Sequence, residues 1–560
     1  MRTEATSAPA FTVRAAVGGA LVGLPLMVGN LYMGLKTGWW DSGSITSAIL
    51  GYALLSAWRD GGRAGPHETA AAMSLAAALG AAPAAAGLLG ALPALALLGR
   101  PVAPWAAAGW GVALGALGVL LALWLRRRLL EEEGLPFPTG VATAEVIAAL
   151  HADGQGGRGR VLLGTAGLAA AVAWLRDGWP AVIPAALAWP GRALGLPGAA
   201  LGLGLALSPM MVGAGLLVGL QNGLSVLLGA GLGWGLLAPD LVARGAVAGA
   251  DYAALAGWLV WPGVALMLGS AAVALLGQGR ALLSGVSDLF AAQRGRAAAG
   301  GLALAAAVAL ALLVGWAGLG LPVILCAAGL VLAVPLCAAS ARAAGRTDVS
   351  PAGDVGQLAQ VAVGALVPGG AGASTAAGSI VAGAAAQAGV SLWSLRAGQR
   401  LGASARAQGW AMLLGASLGA LVSAPVYAVL VSAAGVGTAT FPAPFALRWK
   451  AVAEVMAGGA SALPPGAFPA AALALLAGAA LELLGRTRAG RFLPAPGAVA
   501  IGFVAPASYA AAIALGAVLA AAWRRVRPAA AEGALPLVGA GAIAGESVAG
   551  FLAALLTSLR

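Results

Sequence analysis

The chain has 560 residues, 61% of them hydrophobic and 9% charged, with a mean hydropathy of +0.93. A soluble domain carries about 25% charged residues, so the long Ala, Leu, Val and Gly runs cannot all be hidden in one water-soluble core. The net charge of +12 sits in short arginine clusters between apolar runs. That positive-inside pattern speaks of topology in a bilayer and of no nucleic-acid partner.

In chain order, the first apolar run begins near Phe11 and extends to 33, with no cleavage-site pattern, so it is expected to remain as a span. Apolar segments follow at 42–58, 67–98, 101–125, 160–176, 200–220, 221–238 and 252–276. A second series covers 297–317, 318–340, 355–369, 371–393, 407–434, 466–485, 495–523 and 533–557. Many of these have the roughly 17–25 apolar residues that cross a bilayer as a helix. Internal prolines make 67–98 and 495–523 candidates for broken helices. Two shorter apolar helices, 139–150 and 445–458, each follow a proline-containing loop. The fold class is therefore all-α, a polytopic membrane protein of about sixteen helices with re-entrant or broken segments.

The arginine clusters at 126–128, 158–160, 486–491 and 524–527 are expected on the cytoplasmic side of the plasma membrane. Two of them flank 139–150, which would then enter the membrane and return. An internal duplication is also legible. "GSI" at Gly43–Ile45 recurs at Gly378–Ile380, and "FP…AEV" at Phe137–Val146 recurs at Phe441–Val455. "SPMMVGAG…LLGA" is echoed by "APGAVAIG…ALGA", with Pro209 and Gly229 spaced like Pro496 and Gly516. The expected division is an N-terminal half (1–296), connecting helices (297–345) and a C-terminal half (346–560). The segment 101–125 shows no second-half counterpart, and an inverted arrangement of the halves is one solution.

The polar interruption "NLYMGLKTGWWDSGS" breaks an apolar run with Gly34 and Gly38 around Lys36. Glycines there let a helix stop and expose backbone groups. Lys36 then offers a cation to a carboxylate, with Asn30, Tyr32 and Thr37 as hydrogen-bonding groups. The alternative is a membrane-edge turn from which Lys36 reaches lipid phosphates. Glu145 and Glu454 lie on the two short helices, whose N-terminal ends carry positive partial charge. Thr139 is expected to cap the first, and Lys450 is placed to pair with Glu454 at i,i+4. Glu546 has no basic residue in its own span and must be protonated, paired with another helix or wet. Glu68 suits a helix N-terminus, and Glu131–Glu133 read as a solvated loop.

Cys326 and Cys337 read as small core residues, and His67 and His151 are too few for a metal or haem site. No phosphate loop, HExxH, GxSxG or paired-Asp motif occurs, so neither an ATPase nor another enzyme is indicated, and no cofactor is expected.

Several stretches in one order carry a family resemblance: "NLYMGLKTGWW", "GLPFPTGVATAEVIAAL", "SPMMVGAGLLVGL", "WLVWPGVALMLGS", "FPAPFALRWKAVAEVMAGG", "PAPGAVAIGF" and "AGAIAGESVAG". Together they resemble the oligopeptide transporter family, nearest its bacterial members and the yellow-stripe-like branch. The resemblance implies a proton-driven importer of small peptides or metal-chelate complexes, with peptide or chelate, protons and lipid as partners and a homodimer as one assembly. Its substrate site would involve Asn30, Tyr32, Lys36, Thr37, Phe137, Glu145 and Glu454, and Glu145, Glu546 and Glu68 are the candidates for proton coupling. The family's acidic "DLKTG" is here "SLRAG" at Ser394–Gly398, which weakens transfer of a chelate substrate. A channel or exporter is the competing class, distinguished by the lack of any titrating coupling group.

Overall fold

The computed structural model describes residues 11–58, 64–153, 157–178, 181–193, 195–199, 201–277, 298–366 and 370–558. Helices dominate. The first series is α1 (Val13–Thr37), α2 (Ser44–Ala57), α3 (Pro66–Gly80), α4 (Ala82–Ala85), α5 (Ala91–Leu97), α6 (Pro104–Arg126), α7 (Pro138–Asp153), α8 (Gly157–Asp177), α9 (Pro209–Ala230), α10 (Ala238–Ala243) and α11 (Tyr252–Leu276). The second is α12 (Ala298–Leu319), α13 (Val323–Thr347), α14 (Ala352–Leu366), α15 (Ala371–Leu401), α16 (Ala405–Ala434), α17 (Pro444–Gly458), α18 (Ala467–Gly485), α19 (Pro496–Val504), α20 (Ala507–Val526) and α21 (Pro528–Ser558). Among the described residues, 11 helices are long and apolar enough to cross a membrane. The protein is a multi-pass, all-α membrane protein.

Local chemistry sets these boundaries. Thr12 caps α1 by accepting the Ala15 N–H, and Gly38 ends the helix in the left-handed region at φ 79°. The 67–98 segment is broken as its prolines require, into α3, α4 and α5. The 495–523 segment breaks at Ala505–Pro506 into α19 and α20. The segments 200–220 and 221–238 are not two separate helices. One helical run starts at Pro209 and is interrupted at Gly219, whose φ of 82° and ψ of 166° suit only glycine. Ahead of it, 186–188 pairs antiparallel with 204–206, and 192–193 with 196–197, two small hairpins that hydropathy did not reveal.

The duplication is physical. α1 and α13 each have 25 residues, a proline at the same position (Pro25, Pro335), a terminal threonine and a left-handed residue beyond it (Gly38, Asp348). α7 and α17 each start with a proline preceded by a non-glycine residue at positive φ, Phe137 at 46° and Ala443 at 45°. These two turns are exchanged between the halves. The Phe137 N–H donates to Gly345 O at 2.9 Å, and the Ala443 N–H donates to Leu35 O at 2.7 Å. Each half thus ties its short helix to the end of the other half's first helix.

Three expectations change. The "GSI" echo is not structural: Gly43 precedes α2, whereas Gly378–Ile380 lies inside α15. The 101–125 helix does have a counterpart, because α6 packs on α15 as α16 packs on α3, each between the third helix and the proline-started one. Thr139 does not cap α7. Asp348 does, accepting the Thr139 N–H at 3.0 Å and its hydroxyl at 2.6 Å. A carboxylate there meets both the free N–H groups and the helix dipole.

Candidate functional site

The end of α1 meets α8, α9, α20 and α21 at a group of buried charges. Lys36 and Tyr32 come from α1, Arg176 and Asp177 from the end of α8, Ser208 from the cap of α9, Tyr509 from α20 and Glu546 from α21. Glu546 is fully buried. Its carboxylate accepts from Arg176 Nη2 at 2.9 Å, Ser208 Oγ at 2.8 and 2.9 Å, and the Met210 N–H at 2.9 Å. That last donor is one of the free N–H groups of the first turn of α9. Arg176 is buried too. It donates through Nε to Asp177 at 2.8 Å and through Nη1 to Leu207 O at 2.8 Å.

Lys36 differs from Arg176. Its ammonium lies 3.9 Å from Glu546 Oε1, over the Tyr32 ring at 4.6 Å and the Tyr509 ring at 5.7 Å. Among the described residues it donates no hydrogen bond. An ammonium has three donors, so a 4% exposed lysine with none of them used is a cation held in reserve. Gly550 allows this packing, because a Cβ there would come within 2.5 Å of the Tyr32 ring. Tyr32 also meets Phe441 edge to face, with ring centroids 5.5 Å apart.

Asn30 and Thr37 shape the backbone below. Asn30 donates to Asp41 O and Gly80 O at 2.8 and 2.9 Å and accepts the Asp41 N–H at 2.9 Å, so it pins the 38–43 loop. Thr37 donates to Met33 O and accepts the Trp39 N–H, closing the end of α1. The other expected residues lie apart. Phe137 is buried against Gly345 and Leu135, and Glu145 is exposed on α7, which packs chiefly on α15 and α2. Glu454 pairs with Lys450 at 2.6 Å. Glu68, in the first turn of α3, binds Arg14 and Thr12, each at 2.5 Å. Glu133 is exposed like Glu131 and Glu132, as expected of a solvated stretch, and it also holds the buried Arg342 at 2.9 Å.

Sequence reading missed Arg176, Asp177, Ser208 and Tyr509. The Ser208-Pro209 pair ahead of an apolar run is a helix-start signal that pointed at this spot. Nothing local marks Arg176 as the partner of Glu546.

The family model described as OPT oligopeptide transporter protein matches residues 10–557. The chain belongs to the OPT oligopeptide transporter family. It is 32% identical over 212 residues to a Haemophilus influenzae protein named for oligopeptide transport, a match covering 37% of this chain and 32% of that one. A Saccharomyces cerevisiae protein with the same kind of name is 30% identical over 157 residues, 25% of this chain and 22% of its own. The matched stretches thus span a third or less of either relative.

Proposed function

We propose that this OPT protein imports small peptides across the cytoplasmic membrane together with protons, and that the peptide carboxylate binds at Lys36. The observation that carries this is the buried ammonium of Lys36, paired at 3.9 Å with Glu546 and donating no hydrogen bond among the described residues. A carboxylate entering beside Tyr32 would fill those donors.

The same arrangement supplies a coupling logic. Glu546 and an incoming carboxylate compete for one cation. Neutralising Glu546 releases Lys36, so proton and peptide binding favour one another, and such linkage is reciprocal. Acid conditions outside would then raise peptide affinity on that face. In this reading Tyr32, Lys36 and Glu546 form the site, with Asn30 and Thr37 supporting it. Phe137, Glu145, Glu454 and Glu68 are assigned no substrate contact. Peptides are favoured over metal chelates because Ser394 stands where the family pattern has an acid. The two exchanged repeats are taken as inverted, with the site between them.

The test is uptake of trialanine into proteoliposomes with and without an imposed acid gradient. Lys36→Ala should raise the concentration for half-maximal uptake at least tenfold, about 1.4 kcal/mol. Glu546→Gln should bind trialanine yet no longer concentrate it when the gradient is applied. Gradient-driven accumulation equal to wild type in both variants would end the proposal and favour a channel or exporter.

A further inference from the structure

Glu546 takes up the proton in the scheme above, yet none of its side chain reaches solvent. Arg176, Ser208 and the Met210 N–H close around both of its oxygens. Asp177 is the one acid of this group with no part in that scheme. Its side chain is 30% exposed, against 4% for Arg176 and none for Glu546.

The two carboxylates share one nitrogen. Arg176 meets Asp177 side-on, Nε to Oδ1 at 2.8 Å and Nη2 to Oδ2 at 2.5 Å, and the same Nη2 donates to Glu546 Oε1 at 2.9 Å. Asp177 Oδ2 and Glu546 Oε1 therefore lie within about 5.4 Å of each other. One water molecule bridges such a gap with two hydrogen bonds of about 2.7 Å. Lys36 follows, 3.9 Å from Glu546 Oε1. From solvent inward the order is anion, cation, anion, cation, and the charges cancel.

Among the described residues, the elements packed around Asp177 bring it no other charge. α1 contributes Lys36 and Tyr32, α21 contributes Glu546, and α9 has no titratable side chain. The one titratable group of α2 is Tyr52, which meets His151 edge to face.

The place of Asp177 along its helix suits an entry point. α8 has 21 residues, about 30 Å of helix, enough to cross the hydrocarbon core. Arg158 and Arg160 lie in its first turn, and Asp177 is its last residue. α21 repeats the measure. Arg524, Arg525 and Arg527 stand just before its start, and Glu546 lies about 27 Å along it. With those arginines cytoplasmic, as the positive-inside bias puts them, Asp177 opens toward the outer face, where an importer meets its protons.

We propose that Asp177 receives the proton from the outer aqueous phase and passes it to Glu546. This rests on the proton-coupled reading above and names its entry group. A proton from bulk water binds the Asp177 carboxylate. The Asp177 O–H bond then breaks as an O–H bond forms on Glu546 through the bridging water, and Asp177 returns to its carboxylate. Arg176 keeps that carboxylate as its side-on partner, so neutral Glu546 leaves only Lys36 without an anion. One substrate carboxylate restores the balance. Without Asp177, neutral Glu546 strands two buried cations instead of one.

Proteoliposomes holding the pH dye pyranine report proton entry when trialanine is added outside. Exchange of internal for external trialanine at equal pH reports movement of the peptide alone. In Asp177→Asn, trialanine-evoked proton entry should fall at least tenfold, while exchange falls less than about threefold. Asp177→Glu should restore proton entry. Asp177→Cys labelled with a sulfonatoethyl thiol reagent regains a negative charge that does not titrate, so it should support exchange and not proton entry. Undiminished proton entry in Asp177→Asn overturns the role of Asp177. Its return in the sulfonated variant does so too, because Asp177 is then a fixed anion for Arg176. Equal loss of exchange and proton entry, with no separation in the sulfonated variant, overturns it as well. In each of these cases proton-coupled uptake by wild-type protein still stands. Wild-type protein in which trialanine evokes no proton entry overturns the proton-coupled reading and this one with it.

Discussion

The two interrupted helices are the best place to compare the halves. α9 breaks at Gly219, and its counterpart breaks at Ala505–Pro506, each about one helical length after an initiating proline. They cross each other reciprocally. A Cβ on Gly229 would strike Val499 O, and one on Gly516 would strike Val212 O. Gly215 and Gly502 repeat the relation with Ile513 O and Val226 O. Their beginnings differ entirely. α9 starts at Ser208, which binds Glu546 beside Arg176, all buried. α19 starts at Ala495, whose N–H donates to Ser225, near a part-exposed Glu482–Arg486 pair 3.7 Å apart. At these two helix starts the backbone is repeated and the buried ion pair is not. The repeat supplies the scaffold, and only one of the two helix starts carries a buried ion pair.

The largest expected effect breaks that asymmetry. Glu546→Ala leaves Arg176 and Lys36 buried without their anion, and removing one partner of a buried pair costs about 3–5 kcal/mol. Glu482→Ala, at the other helix start, should cost about 0–1 kcal/mol, as exposed pairs do. Unfolding in detergent measures both, and equal costs would mean that the two starts are energetically alike.

Next comes the crossing itself. Gly229→Val and Gly516→Val each put a side chain against a carbonyl and should cost about 1–3 kcal/mol. If the crossing is truly reciprocal, the two losses agree closely. The double variant should lose less than their sum, since the first shift makes room for the second. Independent, additive losses would argue against a shared contact.

The smallest effect separates the two breaks. Gly219→Ala forces a non-glycine residue into a glycine-only conformation, at about 1–3 kcal/mol. Pro506→Ala keeps its backbone accessible and should cost under about 1 kcal/mol, chiefly through the unfolded chain. The same unfolding measurements rank them, and the reverse order would place the rigid break in the second half.

Much of this fold was legible in the chain because bilayer crossing is a local requirement. A run of apolar residues of sufficient length is helical wherever it lies, since only a helix satisfies its own backbone in lipid. Thus 407–434 and 466–485 fell within two residues of α16 and α18. The proline-started short helices and the breaks in 67–98 and 495–523 followed from side chains that cannot continue a helix. The hairpins at 186–206 escaped because their strands have two or three residues and no alternation of polarity. The site was legible in pieces. Lys36 and Glu546 stood out as charges in apolar surroundings, but Glu145 ranked high only for want of a neighbour, and it lies exposed.

By itself the sequence determined that this chain is a helical membrane protein, where most helices begin and end, and that its halves repeat. Those properties depend on contacts between near neighbours and on the lipid solvent. Only the tertiary structure decided which charges share a partner. Arg176 and Glu546 are 370 residues apart, and no local pattern predicts a pair that helix packing creates. The exchange of Phe137 with Gly345 and of Ala443 with Leu35 is of the same kind. Each half thereby holds the turn of the other.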